Sequence, residues 1–398
     1  MKKKIIIPSV LGMLVLVFVL YIIFGGGSKI ILDWESSNSM PTLPDSVCLN
    51  VYVENSGSMN GYMCDGSNLK DVVYDYVSDL KKNTTTCDLF YINSQIIACK
   101  ESLDNYIKNL TPSSFTKAGG NLKDTDLRSI FNLIMGKHKT NTVSVFVSDC
   151  ILDIPQNATN FFGNCQVSIK NTFNEALAKN SNLGVEIMKL QSKFEGYWFC
   201  GKNKQKLYDV KRPYYIWVIG DKNILAMLNK KVFFTERKIK GEVIKYDYCA
   251  YSTSQPIPFD IDQKRYAVNH SDKINVEVLA DLRPSLQEES LLENIYQYSP
   301  ENPVQTKVVS VRPISKSDSH YSHVISLELS SPQTLKTASV LLNYPEMAQW
   351  VKLSNDSTGI YDNSIDKTTG IQYLIQGVAD AYRDHFNFGT IAFNLKNK

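Results

Sequence analysis

The sequence predicts a doubly wound α/β domain with a mainly parallel sheet, followed by a β-rich, sandwich-like domain and preceded by one membrane-spanning helix. Three observations predict it. Between Val47 and residue 232, short apolar runs alternate with stripes at helical spacing, the signature of strands joined by crossover helices. After residue 233 the runs turn strand-length and alternating, punctuated by Pro and Ser, as in an antiparallel sandwich. Ile5 to Phe24 carries no charge.

Taken in order, Met1-Lys2-Lys3-Lys4 reads as a cytoplasmic tail (1–4) and residues 5–24 as an anchor spanning about 30 Å, a bilayer's hydrocarbon thickness. A cleaved signal peptide has a shorter apolar region and a small-x-small site, which Gly25-Gly26-Gly27-Ser28 matches poorly. The lysines should stay in the cytoplasm, which puts the bulk of the chain outside it. Residues 25–46, with three glycines, a Ser-rich stretch, Pro41 and Pro44, read as a linker.

The first domain (47–232) opens on a Val-rich strand over Val47 to Val53. Leu69, Val72, Val73, Tyr76, Val77 and Leu80 then form one face of a helix. Strands are expected at Leu89–Ile92 and Ile96–Ala98, and a short helix over 103–110. Leu127, Ile130, Phe131, Ile134 and Met135 mark a second amphipathic helix. A strand at Val143–Val147 ends in Ser148-Asp149. A helix over 167–177, strands at 185–190 and 214–219, and a helix near Ile224–Leu228 complete the set. The second domain (233–398) offers strands at 274–278, 307–311, 324–329 and 338–342. Near its end, Ile371, Leu374, Ile375, Val378, Ala379 and Tyr382 keep helical spacing.

The residues that bear on function lie where the first strand stops, in Glu54-Asn55-Ser56-Gly57-Ser58. A strand ending this way aims one carboxylate and two hydroxyls off the sheet edge. Such hard oxygen donors suit Mg²⁺, Mn²⁺ or Ca²⁺. Glu54 and Asp149 both end strands, and ligand sites of parallel sheets lie off those carboxyl ends. A third element, Gly119-Gly120-Asn121-Leu122-Lys123-Asp124-Thr125, precedes a helix.

Together these three elements resemble the von Willebrand factor A-type family and its metal-ion-dependent adhesion site. The family's D-x-S-x-S corresponds to Glu54-x-Ser56-x-Ser58, its loop threonine to Thr125, and its later aspartate to Asp149. The resemblance covers roughly half the chain. It implies a divalent cation held by Glu54, Ser56, Ser58, Thr125 and Asp149, which accepts an acidic residue from a protein partner. Glu54 in place of Asp departs from the pattern, since the extra methylene pushes the carboxylate outward or folds it back.

Other features carry blander readings. Residues 201–245 hold twelve Lys or Arg against four Asp or Glu, a solvated face or a surface for anionic lipid or an acidic partner. Tyr62 is a helix-start packing residue or a partner contact. Asp65 and Asp126 read as caps. His320 and His323 lie in a Ser-rich loop and do not make a helical metal pair. The eight cysteines contain no C-x-x-C, and they read as disulfide partners or as small buried apolar residues. A net charge of +3 gives no reason to expect nucleic acid. No nucleophile elbow, P-loop or dinucleotide fingerprint occurs, and Ser56 or Ser58 as nucleophile would need His138, so the chain is read as a non-enzyme. The expected function is a membrane-anchored, extracytoplasmic protein-binding module with a cation-assisted site. A metal-free scaffold subunit of an envelope complex and a membrane-anchored hydrolase are the alternatives.

Overall fold

The computed structural model describes residues 28–34, 44–123, 125–154, 160–200, 203–232, 236–252, 257–268, 272–283, 289–315, 320–344, 347–357, 365–385 and 389–397. Its strands, in chain order, are β1 (Ser28–Asp33), β2 (Cys48–Glu54), β3 (Thr86–Ile92), β4 (Ile96–Cys99), β5 (Thr142–Ser148), β6 (Leu183–Cys200), β7 (Asn203–Asp221), β8 (Glu236–Ile239), β9 (Glu242–Lys245), β10 (Asp247–Tyr251), β11 (Phe259–Ile261), β12 (Arg265–Val268), β13 (Lys273–Ala280), β14 (Tyr298–Pro300), β15 (Thr306–Pro313), β16 (His323–Ser330), β17 (Thr337–Leu342), β18 (Asn355–Asp356), β19 (Thr368–Thr369) and β20 (Gly389–Asn397).

The central sheet has the order β10-β6-β7-β5-β2-β3-β4. Only β3, β2 and β5 run parallel to their neighbours in it, whereas β4, β7, β6 and β10 join by antiparallel ladders. The expected doubly wound, mainly parallel sheet is therefore corrected: the sheet is mixed. Strand outweighs helix among the described residues, 41% against 31%. The physical reason is the β6–β7 pair. The run 185–190 and the run 214–219 each read as a separate strand of the parallel sheet. They are instead the base of one long hairpin, zipped from Leu183↔Asp221 to Cys200↔Asn203, which needs no crossover helix.

Helices still cover both faces. Leu69–Lys81, Leu103–Lys108, Pro112–Ala118 and Lys222–Lys231 pack on the side of Val51, Val53, Val145 and Val147. Leu127–Lys137 and Phe161–Lys179 pack on the side of Tyr52, Phe146 and Trp217. The period-2 alternation of β2 and β5 sorts these two sets. The C-terminal strands form a five-stranded sheet, β12-β1-β20-β17-β14, and a four-stranded sheet, β11-β13-β16-β15. All their ladders are antiparallel.

Two segments cross the expected boundaries. Ser28–Asp33, read as linker, is β1 and pairs with β12 and β20. The helix Ile371–His385 packs on Phe161–Lys179, where Gly377 admits the backbone of Gln166 and the side chain of Ile169 at close range. The core on that face is consequently continuous from Tyr52 and Trp217 to Val276 and Ile325.

The anchor expected over residues 5–24 lies outside the described residues, and among the described residues no helix is long and apolar enough to cross a membrane. The single-pass, outward-facing placement is not supported and is withdrawn. Cys48, Cys64, Cys87, Cys99, Cys150, Cys165 and Cys249 are free thiols.

Candidate functional site

Parallel pairing of β2 with β5 fixes the site. Val53 pairs with Val147, so Glu54 and Ser148 end their strands side by side, and Asp149 follows one residue beyond. Both carboxylates are deeply buried, Glu54 at 3% exposure and Asp149 at 1%. The side-chain period puts Glu54 on the Tyr52 face. There the Ser148 hydroxyl donates to Glu54 Oε2 and accepts from the Cys150 amide at 2.7 Å. The Glu54 carboxylate is therefore held sideways against Ser148 of β5.

Past β2, Ser56 Oγ and Ser58 Oγ lie 3.0 Å apart. The Gly57 amide donates to Leu122 O at 2.9 Å, which ties this turn to the loop bearing Thr125. An amide network holds the loop in place. Asn55 Nδ2 donates to Phe115 O and Gly119 O, both at 3.2 Å, and Asn93 Nδ2 donates to Asn55 Oδ1 at 3.0 Å and Gly119 O at 2.9 Å. Gly120 must be glycine: its φ is +80°, and a Cβ would meet Asn93 Oδ1 at 2.1 Å. Thr125 is 8% exposed, just before the helix Leu127–Lys137 that Asp126 caps through the Arg128 amide.

The oxygens of this cup are incompletely satisfied. Asp149 Oδ1 accepts from the Ile151 amide at 3.5 Å, but Asp149 Oδ2 and Thr125 Oγ1 are buried without a hydrogen-bond partner. Such orphans are costly unless something completes them. Burial pushes the Glu54 carboxyl up, and the Asp149 charge adds to the push; the Ser148 and Ser56 hydroxyls oppose it. Burial also raises Asp149, opposed by the neighbouring Ser58 hydroxyl and by the charge of Arg212. Two carboxyls this close and this dry resist carrying two negative charges.

Arg212 belongs to the basic stretch 201–245, read from sequence as a solvated face or a binding surface, and the structure buries it. It lies on β7, 1% exposed, and donates to Ile365 O at 3.1 Å and Lys367 O at 3.5 Å. Its guanidinium carbon lies 5.6 Å from the Phe194 ring centroid and 5.8 Å from that of Trp198. Tyr215 Oη donates to Thr368 Oγ1 at 3.2 Å, and the Leu152 amide to Thr369 O at 3.0 Å. One wall of the cup thus comes from residues 365–369, far along the chain. Lys211-Arg212-Pro213 at the head of a Tyr-rich strand was the available signal. Ser148, Asn55 and Asn93 carried none.

The structure ties Glu54 to Ser148, Ser56 to Ser58, and the Thr125 loop to the Ser turn. Tyr62 is a packing residue: it is fully buried and its hydroxyl donates to Pro213 O. His138 follows the far end of Leu127–Lys137, beside the start of β5, and lies away from the Ser turn. Among the described residues no group of three or more His, Cys, Asp or Glu side chains gathers as if to hold a metal. The expectation of a metal-ion-dependent adhesion site of the von Willebrand A kind is corrected to that extent: no cluster of metal-ligating side chains marks it, and the cup offers two carboxylates with hydroxyls as its remaining donors. No protein-family model, characterised protein or solved structure matches the chain.

Proposed function

We propose that this protein is a protein-binding module whose recognition site is the polar cup formed by Glu54, Ser56, Ser58, Thr125 and Asp149, with one hard divalent cation (Mg²⁺, Mn²⁺ or Ca²⁺) as its cofactor. The observation that carries the reading is that Asp149 Oδ2 is buried without a hydrogen-bond partner beside a second buried carboxylate, Glu54, while Thr125 Oγ1, on the loop tied to the serine turn through Gly57 and Leu122, is also buried without one. This donor set is all oxygen and mostly neutral, which fits a hard cation and not a soft one. Ser56, Ser58, Thr125 and Asp149 would hold it, with Glu54 behind them through Ser148. When bound, the cation supplies a positive anchor for an acidic group of the partner. The chain's own residues keep the cup dry and shaped: the Asn55–Asn93 network pins the threonine loop, and Arg212 with residues 365–369 closes the far wall.

Arg212 favours a second reading, a scaffold that binds its partner without metal. Its buried cation offsets the Asp149 charge, so a protonated Glu54 leaves the cup near neutrality with nothing bound.

Titration calorimetry on the full chain with each ion separates the two. Binding is expected for at least one ion, together with a rise in thermal midpoint that reaches about 2.7 kcal/mol of stabilisation at a hundred times Kd. Asp149→Asn and Ser58→Ala should abolish both. Absence of heat and of a midpoint shift with all three ions would leave the metal-free scaffold.

A further inference from the structure

The basic stretch after residue 200 has a specific shape. Beyond Tyr214, where β5 no longer accompanies it, the β6–β7 hairpin continues as a free two-stranded ribbon. Its inner side carries Phe194, Trp198, Leu207 and Arg212, all buried. Its outer side carries Tyr197, Phe199, Lys204, Lys206 and Tyr208. Register places Tyr197 opposite Lys206 and Phe199 opposite Lys204. Lys204 Nζ lies 3.8 Å from the Tyr197 centroid and 5.6 Å from that of Phe199, and Lys206 Nζ lies 4.7 Å from that of Tyr208. Tyr197 is 44% exposed and Tyr208 59%. Lys193, lower on the ribbon, is matched by Asp209 at 3.1 Å. Lys204 and Lys206 rest on rings instead and make no ion pair among the described residues; Lys206 also meets the Tyr208 hydroxyl and feels the charge of Glu195.

We propose that this outer face is a docking strip for an extended acidic segment of a partner protein. Three features argue for that occupant. Lysines two residues apart on one strand face are spaced about 6.8 Å, the spacing of alternate side chains in an extended peptide, so a chain with carboxylates at every second residue matches them. Exposed Tyr rings give such a chain flat apolar contact at small entropic cost, and aromatic residues are enriched where proteins meet. The ribbon also reaches the cup: a Cβ on Gly57 would lie 3.9 Å from Phe199 Cε2, so the strip and the serine turn adjoin. A membrane surface fits less well. The strip is two strands wide, and its lysines lie over rings instead of extending towards a plane of headgroups.

The inference deepens the proposed function by naming the partner's chemistry, and it rests on that reading only in taking the partner to be a protein. The test is fluorescence anisotropy on the full chain, in chelator, with a labelled peptide of alternating Glu and Ser and a control in which Gln replaces Glu. The Glu peptide should bind and the control should not. Lys204→Glu with Lys206→Glu should weaken binding about tenfold or more, with a salt-dependent loss. Tyr197→Ser with Tyr208→Ser should weaken it with less salt dependence. Both pairs change exposed side chains, and an unaltered thermal midpoint verifies that they fold. Peptide binding in chelator needs no cation in the cup, so a failed cation titration leaves this result standing, and the reverse also holds. Equal binding by the charge-reversed variant, equal binding of the Gln control, or stronger binding to phosphatidylserine vesicles than to the peptide would overturn the proposal.

Discussion

Glu54 and Glu186 are two buried glutamates on one sheet, and their surroundings differ. Glu186 lies in the interior of β6, 6% exposed, on the face covered by the helix Lys222–Lys231. It accepts one hydrogen bond, from Asn229 Nδ2 at 2.8 Å, and burial raises its pKa to about 7. No second carboxylate acts on it, and a proton satisfies it. Glu54 is buried as deeply but ends its strand, where Asp149, Ser56, Ser58 and the Thr125 loop also end. Burial alone therefore marks nothing: it shifts both groups. What distinguishes the cup is that Glu54, Asp149, Ser56 and Ser58 act on one another, and that Asp149 Oδ2, with Thr125 Oγ1 on the adjoining loop, is buried without a partner. Interior strand positions rarely converge like this, because neighbouring side chains alternate between faces. Strand ends do, because loops bring side chains in from several directions.

The largest effect should come from detaching the hairpin from the cup. At Gly196 a Cβ would lie 2.6 Å from the Gly61 Cα, and backbone cannot give way as a side chain does. Gly196→Val should cost about 3 kcal/mol in urea unfolding. It should also remove any cation-induced stabilisation while sparing the pH response of Glu186. A variant that keeps the cation response would break the claim that the ribbon shapes the cup.

Next is the acid pair against the single acid. A carboxyl whose folded pKa is raised contributes stability fully below its unfolded value, and that stability is lost as pH rises through the folded value. For Glu186 the window runs from about 4.5 to about 7. Glu186→Gln should therefore gain stability over the parent at pH 8, on the order of 2 kcal/mol, and little at pH 4, by chemical unfolding in chelator. Glu54→Gln should act in the same direction. Only the Glu54 and Asp149 contribution should be flattened by saturating Mg²⁺. An equal effect of Mg²⁺ on the Glu186 response would erase the contrast.

The smallest effect concerns His138, at the other end of β5. Both ring nitrogens are buried without a partner, and burial lowers its pKa below 6.5, against a pull from Asp221. A group lowered in this way supports the fold above its unfolded value and withdraws that support as pH falls through 6.5. His138→Gln should flatten this acid limb of the thermal midpoint and leave the alkaline limb unchanged.

Much of the local structure was legible. The stripe from Leu69 to Leu80 is the buried face of Leu69–Lys81, and Val143–Val147 lies within β5. The positions of Glu54 and Asp149 at strand ends followed from where the apolar runs stop, and the pairing of those two strands came from the structure. The hairpin was not legible, because its two arms read as separate apolar runs and periodicity does not reveal which strand is the neighbour. Strand β1 was hidden in a Gly-, Ser- and Pro-rich stretch. Arg212 was hidden by its charge, since sequence pattern assigns arginine to the surface, and here rings and carbonyls from residues 365–367 enclose it.

By itself the sequence determined where the main helices and the central strands lie, which face of each is apolar, and which oxygens lie at strand ends. These depend on the order of neighbours along the chain, through side-chain period, caps and glycine dihedrals. The tertiary structure alone decided that the sheet is mixed, that the Glu54 carboxylate is held against Ser148, and that a guanidinium stands beside Asp149. Those outcomes depend on groups far apart in sequence meeting in a dry interior, where each charge and each unmatched oxygen takes its energy from what lies around it.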